Sequence, residues 1–309
     1  MNNLIPVQFT DYSGKNIPAP EITLYAETPC DLNEGPFCAR NENTLYWVDP
    51  RFDLHPETAN CLFRKTGPGA DEFETFDPGI GSVSAFSQTP DGTFLLFASH
   101  CRVWLWKPGK NAELFAQLPG DRFKFNDVTT TPDGHVFCTV LPRDRYNGAG
   151  ELFDLSPDGT FRLLDACRGI PNGMGFSPDH TRFYFTATTE KIIYCYRYHD
   201  GDIRDKTVFA GGIGCDGLAV DTEGGIWSAG WKEKIRRFTP DGKVALELRF
   251  PGMIVSSLCF SGESGRDICI TAGASPNADL PLSDKNSSAV LLWKNSPFQG
   301  IPIPLFGSR

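Results

Sequence analysis

The sequence predicts an all-β protein: a six-bladed β-propeller of four-stranded antiparallel blades, its ring closed by an N-terminal strand. Three observations lead there: a recurring tetrapeptide, its spacing, and the absence of any long stretch with helical period. The tetrapeptide appears as Thr89-Pro90-Asp91-Gly92, Thr131-Pro132-Asp133-Gly134, Ser177-Pro178-Asp179-His180 and Asp221-Thr222-Glu223-Gly224, about 42 to 46 residues apart, close to the length of a four-stranded blade. Each copy lies between apolar alternating runs, as a hairpin turn does. Proline presets φ, aspartate bonds its own backbone and glycine takes positive φ, so the punctuation has a local cause and carries no chemistry. Apolar residues otherwise alternate or run in short blocks broken by Gly and Pro.

The elements follow in order. An isolated run, Glu21-Ile22-Thr23-Leu24-Tyr25, precedes the first full blade and is expected to complete the last one, removing the exposed edge of an open sheet. Ser84-Ala85-Phe86 and Phe94-Leu95-Leu96-Phe97 flank the first turn, and Met174-Gly175-Phe176 and Phe183-Tyr184-Phe185 flank the third. A second turn series, Ser156-Pro157-Asp158-Gly159 and Thr239-Pro240-Asp241-Gly242, leads into outer strands. Strand runs continue through Ile268-Cys269-Ile270-Thr271 and Ala289-Val290-Leu291-Leu292-Trp293. The chain of 309 residues divided by roughly 45 per blade gives six to seven, and six blades in one domain, 1–309, is the reading taken.

Composition narrows the function classes. The chain is 40% hydrophobic and 22% charged, with 31 Gly and 24 Pro, as in a globular protein. A net charge of -9 argues against nucleic acid or an anionic membrane as partner, because phosphate binding needs a basic surface. Met1-Asn2-Asn3-Leu4 lacks the basic start and apolar stretch of a signal peptide, and no apolar run is long enough to span a bilayer; the expected location is the cytoplasm. The ten cysteines include no Cys-x-x-Cys pair and several lie in strand runs, so most are expected reduced and buried. The five histidines show no metal-ligand spacing, and no Gly-x-Ser-x-Gly elbow is present. Gly148-Ala149-Gly150 and Gly211-Gly212-Ile213-Gly214 lack a strand-loop-helix setting and read as turns.

What remains is a set of oxygen-bearing side chains at one place in successive blades: Glu34 before Gly35-Pro36-Phe37, Asn126-Asp127 before Val128, Asn172-Gly173 after Pro171, and Asp216-Gly217 after Cys215. Each is expected just before the first strand of its blade, the strand that lines a propeller's channel. Asn-Gly and Asp-Gly are also hairpin dipeptides, and Glu34 alone would be a solvated loop residue. Recurrence at equivalent positions favours a binding site for a hard cation such as calcium.

Asn33-Glu34-Gly35-Pro36, Leu45-Tyr46-Trp47-Val48-Asp49, Phe125-Asn126-Asp127, the run from Pro171 to Asp179 and the run from Asp216 to Asp221 together resemble the senescence marker protein 30, gluconolactonase and luciferin-regenerating enzyme family. The resemblance covers nearly the whole chain and implies a six-bladed propeller with one divalent metal, many members hydrolysing lactones. It aligns Glu34, Asn172 and Asp216 with metal ligands, Asn126 with a substrate-holding asparagine, and Asp216 with the catalytic base. An all-oxygen donor set favours calcium, magnesium or manganese, while iron(II) and zinc remain open. A metal-bound carboxylate has a depressed pKa and is a weak base, so most activation falls to the cation; Asp127 is the fallback base, with satisfaction of turn amides as its structural alternative.

Departures from the family pattern concern the substrate. Lys124 stands where the family commonly has arginine, keeping the charge without the bidentate geometry. Leu141-Pro142-Arg143-Asp144-Arg145 replaces an acidic stretch, and Arg143 is a candidate to bind a substrate carboxylate, its alternative being a solvated loop arginine. The segment Pro50 to Asn60 is longer than the family turn; either it covers the channel mouth, with His55 or Arg51 as candidate substrate contacts, or it lies on the opposite face. Thr186-Ala187-Thr188-Thr189 stands where many relatives carry Asp-Ser. The expected function is a metal-dependent hydrolase of a small, sugar-acid-type lactone, as monomer or homodimer; the alternatives are a non-catalytic calcium-binding propeller and a hydrolase of other esters or phosphotriesters.

Overall fold

The computed structural model describes residues 4–30, 32–39, 43–50, 62–67, 72–120, 124–144, 146–274 and 288–308. Among them no α-helix occurs, and the strands form six antiparallel sheets, five of four strands and one of five, the blades of a six-bladed propeller. The chain divides into two compact units: residues 1–51, 62–75 and 214–301 make the first, and residues 52–61, 76–213 and 302–309 the second.

In the second unit lie the second blade (Val83–Gln88, Phe94–Ala98, Arg102–Trp106, Glu113–Gln117), the third (Lys124–Thr130, Val136–Leu141, Ala149–Leu155, Phe161–Arg168) and the fourth (Pro171–Phe176, Arg182–Ala187, Ile192–His199, Asp202–Gly211). Their first strands pack side by side. Buried aromatic rings join neighbouring blades edge to face: Phe97 meets Phe125 at 5.1 Å and Phe137 meets Phe183 at 5.0 Å between centroids. Each such side chain contributes about 1.5–3 kcal/mol by leaving water, and edge-to-face geometry adds about 0.5–1.5 kcal/mol.

The first unit holds the first blade (Glu34–Ala39, Thr44–Val48, Leu62–Thr66 and Glu74–Phe76, its last strand reaching the boundary between the units), the fifth (Leu218–Val220, Ile226–Ala229, Lys234–Phe238, Val244–Arg249) and the sixth (Met253–Ser261, Asp267–Ala274, Ser288–Trp293). The sixth blade takes its outer strand from the N-terminus: Ile22–Thr28 pairs with Ser288–Trp293, Ile22 opposite Trp293. The run expected to close the ring does so, and the first strand of this blade packs against that of the first blade. Gln8–Asp11, not anticipated from sequence, adds a fifth strand to the fifth blade along Val244–Arg249. It covers an edge that would otherwise present unpaired amides.

The recurring tetrapeptides are the turns expected. The amides of Gly92, Gly134, His180 and Gly224 each donate to the carbonyl three residues back, between first and second strands. Gly159 and Gly242 do the same between third and fourth strands. Gly134 answers to two constraints, a φ of +79° and a Cβ that would fall 2.1 Å from the carbonyl oxygen of Ser308. The C-terminal segment is held there, with Phe306 buried against Phe115 and its amide on the Gln88 carbonyl. Nine cysteines are described, seven of them buried. Burial pushes the Cys167 and Cys215 thiols up to about 12, where they are neutral and unreactive.

Candidate functional site

The first strands are not regular, and their irregularities fall at equivalent points along each blade. Antiparallel register slips between Glu34 and Phe37, Val83 and Ala85, Phe125 and Val128, Pro171 and Met174, and Val255 and Ser257. In the fifth blade Asp216 donates its amide to the Ala229 carbonyl, and Ala229 returns a bond to the Gly217 carbonyl, just before the strand begins. A bulge inserts a residue into one strand, bends it and re-aims a side chain. The candidates occupy these positions: Glu34 opens its strand, Asn126 and Asp127 lie in the third blade's bulge, Asn172 in the fourth's, and Asp216 at the matching point of the fifth.

This corrects the expectation that all precede their strands, which holds for Asp216 alone. Pairing resumes on both sides of a bulge, so Asn126 and Asn172 are inside strands Lys124–Thr130 and Pro171–Phe176. Asn172-Gly173 and Asp216-Gly217 are therefore not hairpin turns.

In the second unit the structure brings Asn126 and Asn172 together. Asn126 donates from Nδ2 to the carbonyl oxygen of Pro171 at 2.8 Å, and the next residue, Asn172, donates from Nδ2 to Thr188 Oγ1 at 3.3 Å. Thr189 Oγ1 accepts the amide of Ile170 at 3.0 Å. The threonines that replace the family's Asp-Ser thus hold the asparagine strand. Asp127 is clasped by Thr139, whose Oγ1 accepts the Asp127 amide at 2.9 Å and donates to its carbonyl at 3.1 Å. Burial pushes the Asp127 carboxyl up to about 6, against the pull of the Val128 amide bonded to it.

Lys124 begins the same strand and is 1% exposed. It pairs with Leu141, and Arg143 follows two residues on, exposed, in the turn after Val136–Leu141. Both cations thus belong to the end of the third blade that carries Asn126. Arg51, His55, Arg145 and the rest of 51–60 lie outside the described residues.

In the first unit Glu34 and Asp216 are linked through the sixth blade. Ser256, in its bulge, donates from Oγ to the carbonyl of Asn33 at 2.6 Å, and its own carbonyl accepts the Gly217 amide at 2.9 Å. Glu34 accepts the Gly35 amide at 3.1 Å. Asp216 is 1% exposed and its charge, after burial, is what raises the neighbouring Cys215 thiol. A Cβ on Gly217 would lie 2.2 Å from Ser257 Oγ and 2.7 Å from Ser257 Cα, so glycine is needed for this approach. Sequence reasoning missed Ser256 and Thr139, and met Thr188 only as a departure from the family pattern, without its bond to Asn172. Val255-Ser256-Ser257 stands at the place in the sixth blade that Asn126 occupies in the third, and extending the blade alignment would have found it.

Among the described residues no three His, Cys, Asp or Glu side chains group as a metal centre. The carboxylates of Glu34 and Asp216 and the amide of Asn172 offer oxygen donors of the kind that suits a hard divalent cation. No described helix is long and apolar enough to cross a membrane.

Residues 32–274 match the SMP-30/Gluconolactonase/LRE-like region. The pentonolactonase XacC of Haloferax volcanii is 33% identical over 280 residues, covering 86% of this chain and 90% of the relative. The 6-deoxy-6-sulfogluconolactonase of Pseudomonas putida is 28% identical, covering 90% and 96%. The crystal structure of regucalcin from Agrobacterium tumefaciens, described as a calcium-binding protein, superposes with a TM-score of 0.79 at 24% identity, covering 92% of this chain and 97% of that one. The ordered motifs, the blade architecture and these matches agree, and the chain belongs to the SMP-30/gluconolactonase/LRE-like family.

Proposed function

We propose that this protein hydrolyses a small sugar-acid lactone, using one divalent cation held by Glu34, Asn172 and Asp216. The observation that carries the reading is the alignment of Glu34, Asn126, Asn172 and Asp216 with the irregular point of each first strand. The relatives named as pentonolactonase and sulfogluconolactonase supply the reaction class, and the regucalcin relative, a calcium-binding protein, supports calcium as the ion. When bound, the cation supplies Lewis-acid polarisation of the lactone carbonyl.

The chain's own residues do the rest. Asn172 commits its amide nitrogen to Thr188, which directs its oxygen as the ligand atom. Asn126, fixed by its bond to Pro171, positions the substrate beside it. Asp216 takes the proton of the attacking water as that oxygen bonds to the carbonyl carbon. The ring C–O bond then breaks, and the departing alkoxide takes the proton that Asp216 had accepted, leaving a hydroxy acid and restoring the carboxylate. Asp127 is the second group able to exchange a proton, its carboxyl standing at about 6. Lys124 and Arg143 favour a lactone that carries a further anionic group. The sulfonate in the name of one relative's substrate is such a group.

The test is hydrolysis of neutral and anionic sugar lactones by chelator-stripped protein with single divalent cations restored. Turnover that returns with one cation and falls at least about 100-fold in Glu34→Ala and Asp216→Ala supports the reading, the size expected when one electrostatic element of a site is removed. Saturable cation binding with no turnover of any lactone would instead favour a non-catalytic calcium-binding protein. Equal kcat/KM for neutral and anionic lactones, unchanged in Arg143→Ala, would remove the anion preference.

A further inference from the structure

Trp231 is a bulky side chain where bulky side chains are rarely found. Its φ is +48°, in the left-handed region that favours glycine and is an outlier for a residue of this size, and it is 43% exposed. It lies in the loop of residues 230–233, between Ile226–Ala229 and Lys234–Phe238 of the fifth blade. Nothing in the loop's own geometry asks for tryptophan, since glycine or asparagine would adopt this φ at lower cost. Backbone outliers that survive in spite of their cost cluster at ligand clamps.

The loop is fixed at the end of the unit that carries Asp216. On one side Ala229 is bonded to both Asp216 and Gly217 through its carbonyl and amide. On the other, the Lys232 carbonyl accepts the amide of Val255, the residue before Ser256. The Gly230 amide closes the loop on the Lys234 carbonyl, and the Glu233 carboxylate takes the Gly252 amide at 3.0 Å and Arg249 Nε at 2.7 Å. Trp231 is thus placed by two anchors, one leading to Asp216 and one to the Ser256 bulge, and the ring is offered to solvent from a stiff base.

We infer that the Trp231 indole is the platform on which the ring of the lactone packs, an inference that rests on the hydrolase reading above. A sugar lactone presents an apolar C–H face and a polar rim. Its carbonyl and hydroxyl groups need oxygen and nitrogen partners, and its C–H face needs an apolar, rigid, flat one, which tryptophan provides while its other edge stays wet. The platform confers preference for a substituted sugar ring over a small unsubstituted lactone, because the minimal ring covers less of the indole.

The experiment compares wild type, Trp231→Phe, Trp231→Ala and Trp231→Gly in calcium, on a pentonolactone and on γ-butyrolactone, with thermal unfolding of each. The expected result is a KM for the pentonolactone raised about tenfold or more in the Ala and Gly variants. With kcat within about threefold, KM for γ-butyrolactone little changed, and most of the loss recovered in Phe, the effect is that of a lost binding surface. Trp231→Gly should unfold at the wild-type temperature or above it, which separates loss of affinity from loss of fold. Wild-type KM in the Ala variant, with the wild type active, overturns the platform and leaves the hydrolase reading standing. A wild type that turns over no lactone overturns both.

Discussion

Asn126 of the third blade donates its side-chain amide to the backbone carbonyl of Pro171 in the fourth, at 2.8 Å. One side chain thus fixes two neighbouring bulges, and with them the spacing of Asn126 and Asn172. Asn126→Ala should lower kcat/KM by about 10- to 100-fold, as misplacement near a reacting centre does. The lost bond should cost only about 1 kcal/mol in stability. Steady-state kinetics alongside denaturant unfolding check this; a stability loss with unchanged kinetics would reduce Asn126 to a structural tie.

Gly217 permits the approach of the Asp216 segment to the sixth blade. Gly217→Ala would set a Cβ 2.7 Å from Ser257 Cα, a clash with backbone that no rotamer relieves. The expected cost is at least about 2 kcal/mol, in the upper range of overpacking; if Asp216 is a ligand as proposed, calcium binding weakens as well because Asp216 is displaced. Calcium titration by calorimetry and thermal unfolding would read both effects.

Asp127 gives a pH signature. Its carboxyl is raised from 3.8 to about 6 by burial, opposed by the Val128 amide. The folded protein therefore holds a proton that the unfolded chain has released between about pH 4 and 6. Stability contributed by this group is full below pH 4 and is lost as pH rises to about 6, then stays flat. A shift of this size corresponds to roughly 1–3 kcal/mol. Asp127→Asn should be more stable than wild type at pH 7 and match it near pH 4. Parallel pH dependences for the two proteins would contradict the assignment.

The fifth blade contains a buried ion pair on which its stability depends. Asp221, fully buried, accepts Arg237 Nε at 2.7 Å, Trp227 Nε1 at 2.8 Å and the Gly225 amide at 2.8 Å. Arg237 stacks 4.5 Å from the centroid of Phe298. Arg237→Ala leaves a buried carboxylate without its cation and should destabilise by about 3–5 kcal/mol. Asp221→Asn with Arg237→Met should recover part of that loss, measured as denaturation midpoints.

Much of this protein is legible in the chain because its signals are local. A Pro-Asp-Gly turn needs only the φ preferences of its own residues, so the turn at Thr131 to Gly134 could be placed without knowing what it packs against. Alternating apolar runs fix which face of each strand is buried, and the run Glu21 to Tyr25 was assignable to the last blade because nothing adjacent could pair with it. The identities of Glu34, Asn126, Asn172 and Asp216 were also visible, since a polar oxygen recurring once per blade stands out against an apolar strand. What the tertiary structure decided is where those oxygens are held and by what. Bulges at Asn126 and Asn172 depend on register with the second strand, which no local preference sets. The Ser256 bridge joins residues over 200 apart in sequence, the grip of Thr188 on Asn172 depends on strand pairing, and the anchoring of Trp231 depends on contacts with the next blade. Such relationships arise from packing, where the alternative to a bond is a buried group left without one, and that cost is set only once the chain has folded.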